Sequence, residues 1–362
     1  MNDLEININD KSCPGKKRIV ILCDGTWNSP DKLNNGIECP TNVVKIAKSI
    51  KDFDTKGNKQ LTYYDPGIGT SGLAIKRWYN GATGTGISKN ILLAYKYLIM
   101  NYEIGDELYF FGFSRGAFTV RSLVGLIYNS GILRRNCVEL IDKAYKLYKS
   151  RSSLTHPKAN EAVLFRKTYA IQDSIPVKFI GVWDTVGSLG NPLFINNIFS
   201  KISFSIVANS FHDTNISPIV ENAFQALAID EKRRNFSPTL WEPNKFLSSQ
   251  NLEQMWFVGV HSNIGGGYTC SALSDISLEW MRDKAQKCGL CLDDFHHNHD
   301  ILKSIHNSYK GFYRLIPKYN RVIGNTKWGN EQVHETAIQK YYNDPNYRAK
   351  NLIKYLTNNN II

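Results

Sequence analysis

Long hydrophobic runs are absent from this sequence of 362 residues. A membrane-spanning helix needs about 18 consecutive apolar residues and is therefore not predicted. The nearest candidate, 189–207, is interrupted by Asn196, Asn197 and Lys201, so we expect it to contact a membrane surface but not to span the bilayer. Residues 1–16 are acidic and lack the apolar segment of a signal peptide. We expect a flexible N-terminal segment, a chain that is cytoplasmic at synthesis, and any delivery by a secretion system that needs no signal peptide.

Cysteine and histidine are also scarce. The seven cysteines are odd in number and scattered along the chain, so they do not predict a disulfide framework, and reduced thiols fit better. Cys288 and Cys291, followed by His296, His297 and His299, look like the beginning of a zinc site. A second ligand pair at zinc-finger spacing is missing, however. We therefore predict neither a metal nor another cofactor.

Nucleotide-binding signals are weak. The sequence has no G-x-x-x-x-G-K-[ST] loop, and the Gly-rich stretch 81–86 lacks the preceding strand that a dinucleotide-binding fingerprint requires. The net charge of +12, from 44 Lys and Arg against 32 Asp and Glu, favours anionic partners. Short dispersed basic clusters are equally typical of a solvated surface. We expect peripheral contact with an anionic membrane and no nucleic acid, and the oligomeric state stays open.

Five short apolar segments, each followed by a polar or Gly-rich turn, are predicted to be strands. Segments that are apolar at nearly every position suit a parallel sheet covered on both faces. They alternate with helical patterns at 87–102 and 117–129, and this alternation predicts an α/β fold with a mostly parallel sheet and helices on both faces. The predicted strands are 18–23, 61–64, 107–111, 177–183 and 255–260.

Two segments interrupt this alternation. Residues 186–250 are mixed in composition and contain four prolines, and we predict that they form a cap inserted over the site. Residues 300–362 are polar and rich in Tyr and Lys, which favours a C-terminal helical annex. Residues 17–299 then form the predicted catalytic domain.

Residues 112–116, Gly-Phe-Ser-Arg-Gly, match the G-x-S-x-G pattern. The pattern alone is common, but here a strand precedes it and a helix follows it, as in the nucleophile elbow of hydrolases. The serine of such an elbow has a strained backbone, and bulky residues two positions away on either side would collide. Gly112 and Gly116 avoid that clash. Ser114 is therefore the candidate nucleophile, and the alternative is a serine that only caps the helix.

A hydrolytic serine needs a base and a carboxylate that orients the base. In this fold the chain order is Ser, then Asp or Glu, then His. All eight histidines follow Ser114, and His261 alone follows a clear strand and precedes a run of glycines. Asp184 occupies the matching position after the strand 177–183. His212 is the alternative base.

Two further carboxylates, Asp24 and Asp65, also stand at strand ends and remain alternatives to the predicted acid, or supporting groups. An oxyanion hole should use the backbone N–H of Arg115, the residue after the nucleophile, and a second N–H from an early strand-end loop. Gly25 and Thr26 are the best source of the second donor, because Gly25 lets the backbone approach closely.

Seven short motifs occur in a fixed order between residues 18 and 270. They are VILCDGTWN (20–28), YDPGIGT (64–70), GFSRGAF (112–118), VWDTVG (182–187), ALAIDE (226–231), WFVGVHS (256–262) and GGGY (265–268). In these motifs and their order the chain resembles the α/β hydrolases catalogued as domain of unknown function 2235, which include phospholipase effectors of bacterial type VI secretion.

This resemblance implies an α/β-hydrolase fold and matches Ser114, Asp184 and His261 to the family's catalytic serine, aspartate and histidine. The family commonly has Asp two residues after the histidine, where this chain has Asn263. The function implied is serine-dependent hydrolysis of lipid esters, most specifically a phospholipase A that forms an acyl-enzyme at Ser114. The alternatives are an esterase or thioesterase for a soluble or protein-linked acyl group, and a non-enzymatic binding module with a degenerate hydrolase fold.

Overall fold

The strands of the protein form one large parallel sheet and one small hairpin. A computed structural model describes residues 16–25, 28, 31, 33–67, 84–187, 215–242, 249–294, 299–315, 317–326 and 330–362. Its strands are β1 (Arg18–Cys23), β2 (Leu33–Asn34), β3 (Ile37–Glu38), β4 (Gln60–Asp65), β5 (Glu107–Phe113), β6 (Phe179–Trp183), β7 (Asn222–Ala228), β8 (Asn251–Phe257) and β9 (Glu331–Val333). The hairpin pairs β2 with β3, and the other seven strands lie in the order β4-β1-β5-β6-β7-β8-β9. Every neighbouring pair in this sheet is parallel.

Helices cover both faces of the sheet. Within the described part of the chain they are α1 (Asn42–Ser49), α2 (Gly84–Asn101), α3 (Arg115–Ser130), α4 (Ile141–Lys149), α5 (Asn160–Tyr169), α6 (His261–Gly265), α7 (Ala272–Lys287), α8 (Glu335–Asn343) and α9 (Lys350–Asn358). One hydrophobic core lies between the sheet and α2 to α5, and the other lies between the sheet and α1, α7, α8 and α9. Along β1, Ile19 and Ile21 enter the first core while Val20 and Leu22 enter the second. Side chains of a strand point alternately to the two faces, so a strand buried on both has to be apolar at successive positions.

The predicted α/β fold is confirmed, and each of the five predicted strands overlaps a strand of the sheet. β7 was not predicted, although it lies in the sheet between β6 and β8. Its sequence, Asn-Ala-Phe-Gln-Ala-Leu-Ala, has three alanines and no β-branched residue, so it lacks the composition by which strands are recognised. Residues 186–250 are therefore not one continuous cap. Of this segment, 188–214 and 243–248 lie outside the described residues.

The C-terminal segment adds to both the sheet and the core. The predicted annex, 300–362, contains α8 and α9, but it also contains β9, which pairs with β8 as the edge strand. Ala337, Leu352 and Leu356 are fully buried in the second core. This segment therefore packs on the same sheet that carries the predicted nucleophile. The boundary at 299 stays a prediction, and residues 1–15 lie outside the described part.

Two other predictions concern thiols and the membrane. Five cysteines, namely Cys23, Cys137, Cys270, Cys288 and Cys291, are free thiols, and Cys13 is outside the described residues. None of the described helices combines the length and apolar character that crossing a bilayer requires. The segment 189–207 lies outside the described residues, and so do 81–83 of the Gly-rich stretch, whose last three residues begin α2.

Candidate active site

The turn between β5 and α3 carries the predicted nucleophile in a strained conformation. Ser114 has φ 57° and ψ −120°, a region that residues with side chains rarely adopt. A Cβ on Gly112 would lie 2.6 Å from Ala117 Cα, and a Cβ on Gly116 would lie 2.1 Å from the carbonyl oxygen of Cys23. Both glycines are therefore required by backbone packing. The turn projects Ser114 from the carboxyl edge of the sheet, as an elbow does.

Three predicted residues from separate strand ends meet at this edge. His261 Nε2 lies 2.8 Å from Ser114 Oγ, and His261 Nδ1 lies 2.6 Å from Asp184 Oδ2. Asp184 directly follows β6, and His261 is the first residue of α6, separated from β8 by three residues. The carboxyl ends of parallel strands lie along one edge of the sheet, which brings residues far apart in sequence together. All three side chains are buried. The alternative base, His212, lies outside the described residues.

The charges of the site favour an ionised aspartate beside a neutral histidine. Burial raises the pKa of Asp184, but the Arg321 charge and the hydrogen bond from His261 outweigh it and hold that pKa well below its usual range. Burial lowers the pKa of His261 below its usual value, although the hydrogen bond and charge of Asp184 oppose this change. At neutral pH the imidazole is therefore mainly neutral and can accept a proton.

Aromatic rings and a second carboxylate hold the histidine in place. Phe113 packs on the imidazole with ring centroids 4.6 Å apart, and the edge of Phe236 meets it at 4.9 Å. The backbone N–H of His261 donates to Glu231 Oε2 at 3.2 Å. Glu231 is itself bound by Arg233 through two side-chain hydrogen bonds of 2.9 Å. Glu231 ends the sequence motif 226–231, and Arg233 and Phe236 follow it closely, but the sequence did not predict that these three residues surround the base.

Arg321 is the member of the site that sequence reasoning missed. Its Nη1 lies 2.5 Å from Asp184 Oδ1 and its Nη2 lies 2.9 Å from Asp184 Oδ2, and both side chains are completely buried. No sequence pattern pointed to this residue, because it lies in a polar stretch without a motif. The salt bridge forms only when the C-terminal segment packs against the edge of the sheet.

The competing carboxylates occupy a neighbouring position. Asp24 accepts hydrogen bonds from Thr41 Oγ1 at 2.5 Å and from the Tyr64 hydroxyl at 2.9 Å. Burial, with a smaller contribution from the Asp24 charge, raises the pKa of Asp65 to about 7. Since Nδ1 of His261 faces Asp184, the geometry favours Asp184 as the orienting acid.

The predicted oxyanion hole is only partly described. Arg115 is the first residue of α3, beside the nucleophile. A Cβ on Gly25 would lie 3.3 Å from the Cβ of Ser114, so the β1 loop does approach the serine closely. The Gly25 amide, however, donates to Asp24 Oδ1 at 2.6 Å, and Thr26 lies outside the described residues. The oxyanion roles of Arg115, Gly25 and Thr26 stay predictions.

Asn263, which stands where the resemblance implies an aspartate, both accepts and donates hydrogen bonds. Its Oδ1 accepts from the Val260 amide at 3.2 Å, and its Nδ2 lies 3.1 Å from His306 Nδ1. An aspartate in its place could keep the first of these bonds, but it could accept from the His306 ring only if Nδ1 of that ring carried the proton. Asn263 therefore ties the start of α6 to the C-terminal segment.

Metal ligands are not grouped in the described part of the chain. There, no cluster of three or more His, Cys, Asp or Glu side chains is arranged to hold a metal ion. His299 contacts Glu279, with Nε2 2.9 Å from Oε2. His296 and His297, named with the Cys288 and Cys291 pair, lie outside the described residues. The expectation that no metal or cofactor is needed stays a prediction.

Comparison with known proteins identifies the family. Residues 17–284 match the type VI secretion phospholipase effector Tle1-like catalytic domain. The chain belongs to this family. The predicted resemblance to type VI secretion phospholipase effectors is therefore confirmed. The matched region contains the buried Ser114, Asp184 and His261, and it ends before Arg321.

Two other proteins are similar over much of the chain. An uncharacterised protein of Saccharomyces cerevisiae is 29% identical over an alignment of 264 residues that covers 68% of this chain and 35% of the yeast protein. The crystal structure of an uncharacterised protein from Pseudomonas aeruginosa is similar with a TM-score of 0.45 and 16% identity, over 78% of this chain and 47% of that chain. This Tle1-like chain thus spans less than half the length of either relative.

Proposed function

We propose that this protein is a serine-dependent carboxylic-ester hydrolase that releases fatty acids from phospholipids, a phospholipase A. The observation that carries the proposal is the hydrogen-bonded line from Asp184 through His261 to Ser114, which ends at a serine on a strained strand-to-helix turn. A serine that only capped α3 would not need a strained backbone. The side chain of Ser114 also makes no capping hydrogen bond to that helix. Membership of the Tle1-like phospholipase effector family points to lipid as the substrate.

The proposed first half of the reaction acylates Ser114. His261 Nε2 takes the hydroxyl proton as Oγ attacks the acyl carbonyl of the phospholipid. The tetrahedral intermediate then collapses, and the imidazolium gives the same proton to the departing oxygen of the lysophospholipid. Asp184 stays ionised throughout and stabilises the imidazolium while it exists.

The second half releases the fatty acid. His261 takes a proton from water, which attacks the acyl-enzyme, and the proton then returns to Ser114 Oγ as the ester bond to the enzyme breaks. In both halves, the negative charge on the carbonyl oxygen is stabilised by the Arg115 amide at the start of α3 and by a second donor from the β1 loop. Each such donor typically contributes about 2.7–4 kcal/mol of transition-state stabilisation.

The substrate side of the proposal rests on family and charge. With a net charge of +12, the protein is suited to peripheral contact with an anionic bilayer, where surface potential attracts basic proteins. We include delivery by a type VI secretion system in the proposal, because the matching family is described as the Tle1-like phospholipase effectors of that system.

The test compares wild type with Ser114→Ala on vesicles of phosphatidylethanolamine and phosphatidylglycerol, with lipid products measured by mass spectrometry. Wild type should release fatty acid and lysophospholipid in equal amounts, and Ser114→Ala should release neither. Ser122→Ala, which alters a buried serine on the same helix α3, should match wild type.

Other outcomes would replace the proposal. Unchanged fatty-acid release by Ser114→Ala would remove the assignment of the nucleophile. Much faster hydrolysis of soluble acyl esters or thioesters than of vesicle lipids would favour the esterase alternative. If a fluorophosphonate probe failed to label Ser114 in the folded protein, the degenerate binding module would be favoured.

A further inference from the structure

Arg321 connects the C-terminal segment to the centre of the candidate active site. Its guanidinium is completely buried and makes a two-pronged salt bridge to both oxygens of Asp184. It also donates to the carbonyl oxygens of Ala228 at 2.9 Å and of Phe236 at 2.5 Å. The residue lies outside the region that matches the Tle1-like catalytic domain, which ends at 284.

We propose that Arg321 is a positioning residue of the hydrolase, which fixes the plane of the Asp184 carboxylate and keeps that carboxylate charged, so that His261 is held toward Ser114. The inference rests on the proposed function, because it assigns Arg321 a role in the same triad. It also makes the C-terminal segment a part of the catalytic machinery.

The first argument is geometric. Oδ1 of Asp184 accepts from Arg321 and from the Ala228 amide at 3.1 Å, and Oδ2 accepts from Arg321 and from His261. Rotation of the carboxylate would break contacts at both oxygens together. The planar fork of an arginine matches a carboxylate in this way, whereas the ammonium of lysine does not.

The guanidinium is itself fixed by the residues that surround the base. One carbonyl group that it binds belongs to Phe236, the residue whose ring packs in a T-shaped arrangement with the His261 imidazole. The other carbonyl belongs to Ala228, which is the last residue of strand β7 and lies beside Asp184. Arg321 therefore fixes both the Asp184 carboxylate and the backbone of Phe236, whose ring packs against His261.

The second argument concerns charge. A buried carboxylate tends to bind a proton unless a cation stabilises it. Among the described residues, the ionisable groups that face Asp184 are Arg321 and the His261 ring, and the cation that lowers the Asp184 pKa most is Arg321. The His261 imidazole is faced by Asp184, Glu231 and Arg233. Of these groups, Arg321 is the one that binds both oxygens of the acid.

A purely structural role explains this arrangement less well. Buried salt bridges are often no more stabilising than well-packed apolar residues of the same volume. Arg321 Nε is also buried and has no hydrogen-bond partner among the residues that the structure describes. An incompletely bonded, buried arginine is understandable if the fork is needed where it meets Asp184.

The test separates the charge of Arg321 from its shape in the full-length protein. Arg321→Lys retains the charge and removes the fork, and Arg321→Met removes both. With a soluble short-chain ester, we expect Arg321→Lys to lower kcat by about 100-fold, as small misplacements of reacting groups do. The KM and the acid limb of the pH profile should stay close to wild type. Arg321→Met should lower kcat further and move the acid limb to higher pH, because Asp184 then ionises less readily.

Arg166→Lys is the matched control. Arg166 is also buried, and it binds Asp173 at 2.8 Å and the carbonyl oxygens of Asn129 and Pro157 at 2.9 and 2.8 Å, away from the triad. This variant should keep wild-type kcat and pH profile per folded molecule, with the folded fraction measured by near-UV circular dichroism. If Arg321→Met does not fold, Arg321→Lys decides the question alone.

The proposal is overturned if folded Arg321→Lys has the kcat and pH profile of wild type, since the fork would then be dispensable. It is equally overturned if Arg321→Lys and Arg166→Lys both lose activity only in proportion to their loss of folded protein. Failure of the proposed function is a separate result, because it would appear as activity retained by Ser114→Ala in the same ester assay.

Discussion

Replacing Asp184 with asparagine should affect activity and stability for two different reasons. The substitution preserves size but removes the negative charge between His261 and Arg321. The imidazole loses the anion that stabilises its protonated form and fixes its tautomer. Arg321, whose side chain is 0% exposed, loses the charge that compensates its burial. Activity therefore reports on the contact with His261, and stability reports on the contact with Arg321.

The expected loss of activity and the expected loss of stability can be estimated separately. Loss of the triad carboxylate in serine hydrolases lowers kcat by about 10⁴-fold, which is roughly 5.4 kcal/mol of transition-state stabilisation at 1.36 kcal/mol per factor of ten. Removing one partner of a buried ion pair lowers the free energy of unfolding by about 3–5 kcal/mol. Asp184→Asn should therefore show both losses. The double variant Asp184→Asn with Arg321→Met should regain much of the stability and none of the activity.

The assay measures urea unfolding by circular dichroism and ester hydrolysis on the same four proteins, namely wild type, each single variant and the double variant. The coupling free energy between the two sites should be large in unfolding, because each single variant leaves a buried charge unpaired. Additive effects on unfolding would refute the reasoning, since they would mean that Asp184 and Arg321 do not stabilise each other. An active Asp184→Asn variant would refute the role of Asp184 as the orienting acid.

Three further predictions follow from the structure. Gly116→Ala should lower the yield of folded protein and the melting temperature, because its Cβ would lie 2.1 Å from the carbonyl oxygen of Cys23. Gly187→Ala should be tolerated, because among the described residues the nearest atom to its Cβ, Thr239 Oγ1, lies at 4.0 Å. The acid limb of kcat/KM should be centred below the usual histidine pKa, because burial lowers the pKa of His261. An acid limb centred above that value would contradict the assignment of His261 as the base. Burial raises the pKa of Asp65 to about 7 in the folded protein, whereas the value in an unfolded chain is about 3.9. Between these two pH values, titration of Asp65 should lower the free energy of unfolding by roughly 1.4 kcal/mol for each pH unit of increase. Asp65→Asn should remove that slope in unfolding experiments at pH 4 to 7, and an unchanged slope would contradict it.

The sequence predicts the parts of this molecule whose physical requirements are local. The elbow around Ser114 needs glycines at fixed positions, and strands buried on both faces need consecutive apolar residues, so both leave patterns that can be read without a structure. The same reasoning places Asp184 and His261 after strands, and the geometry brings them to the serine. β7 escaped prediction because its alanines and asparagine carry no strand pattern, although its neighbours in the sheet hold it there.

The tertiary structure alone decides what surrounds those residues. Nothing local marks Arg321 as a partner of Asp184, because the contact joins positions 137 residues apart and depends on how the C-terminal segment packs against the sheet. The same holds for Glu231, which binds the backbone of His261, and for Asn263, which bonds to His306. Short-range sequence determines which chemical groups stand at the strand ends, since each strand end follows its own pattern. Long-range packing determines which charges and hydrogen bonds those groups meet, because these depend on the distance between segments that no local pattern encodes.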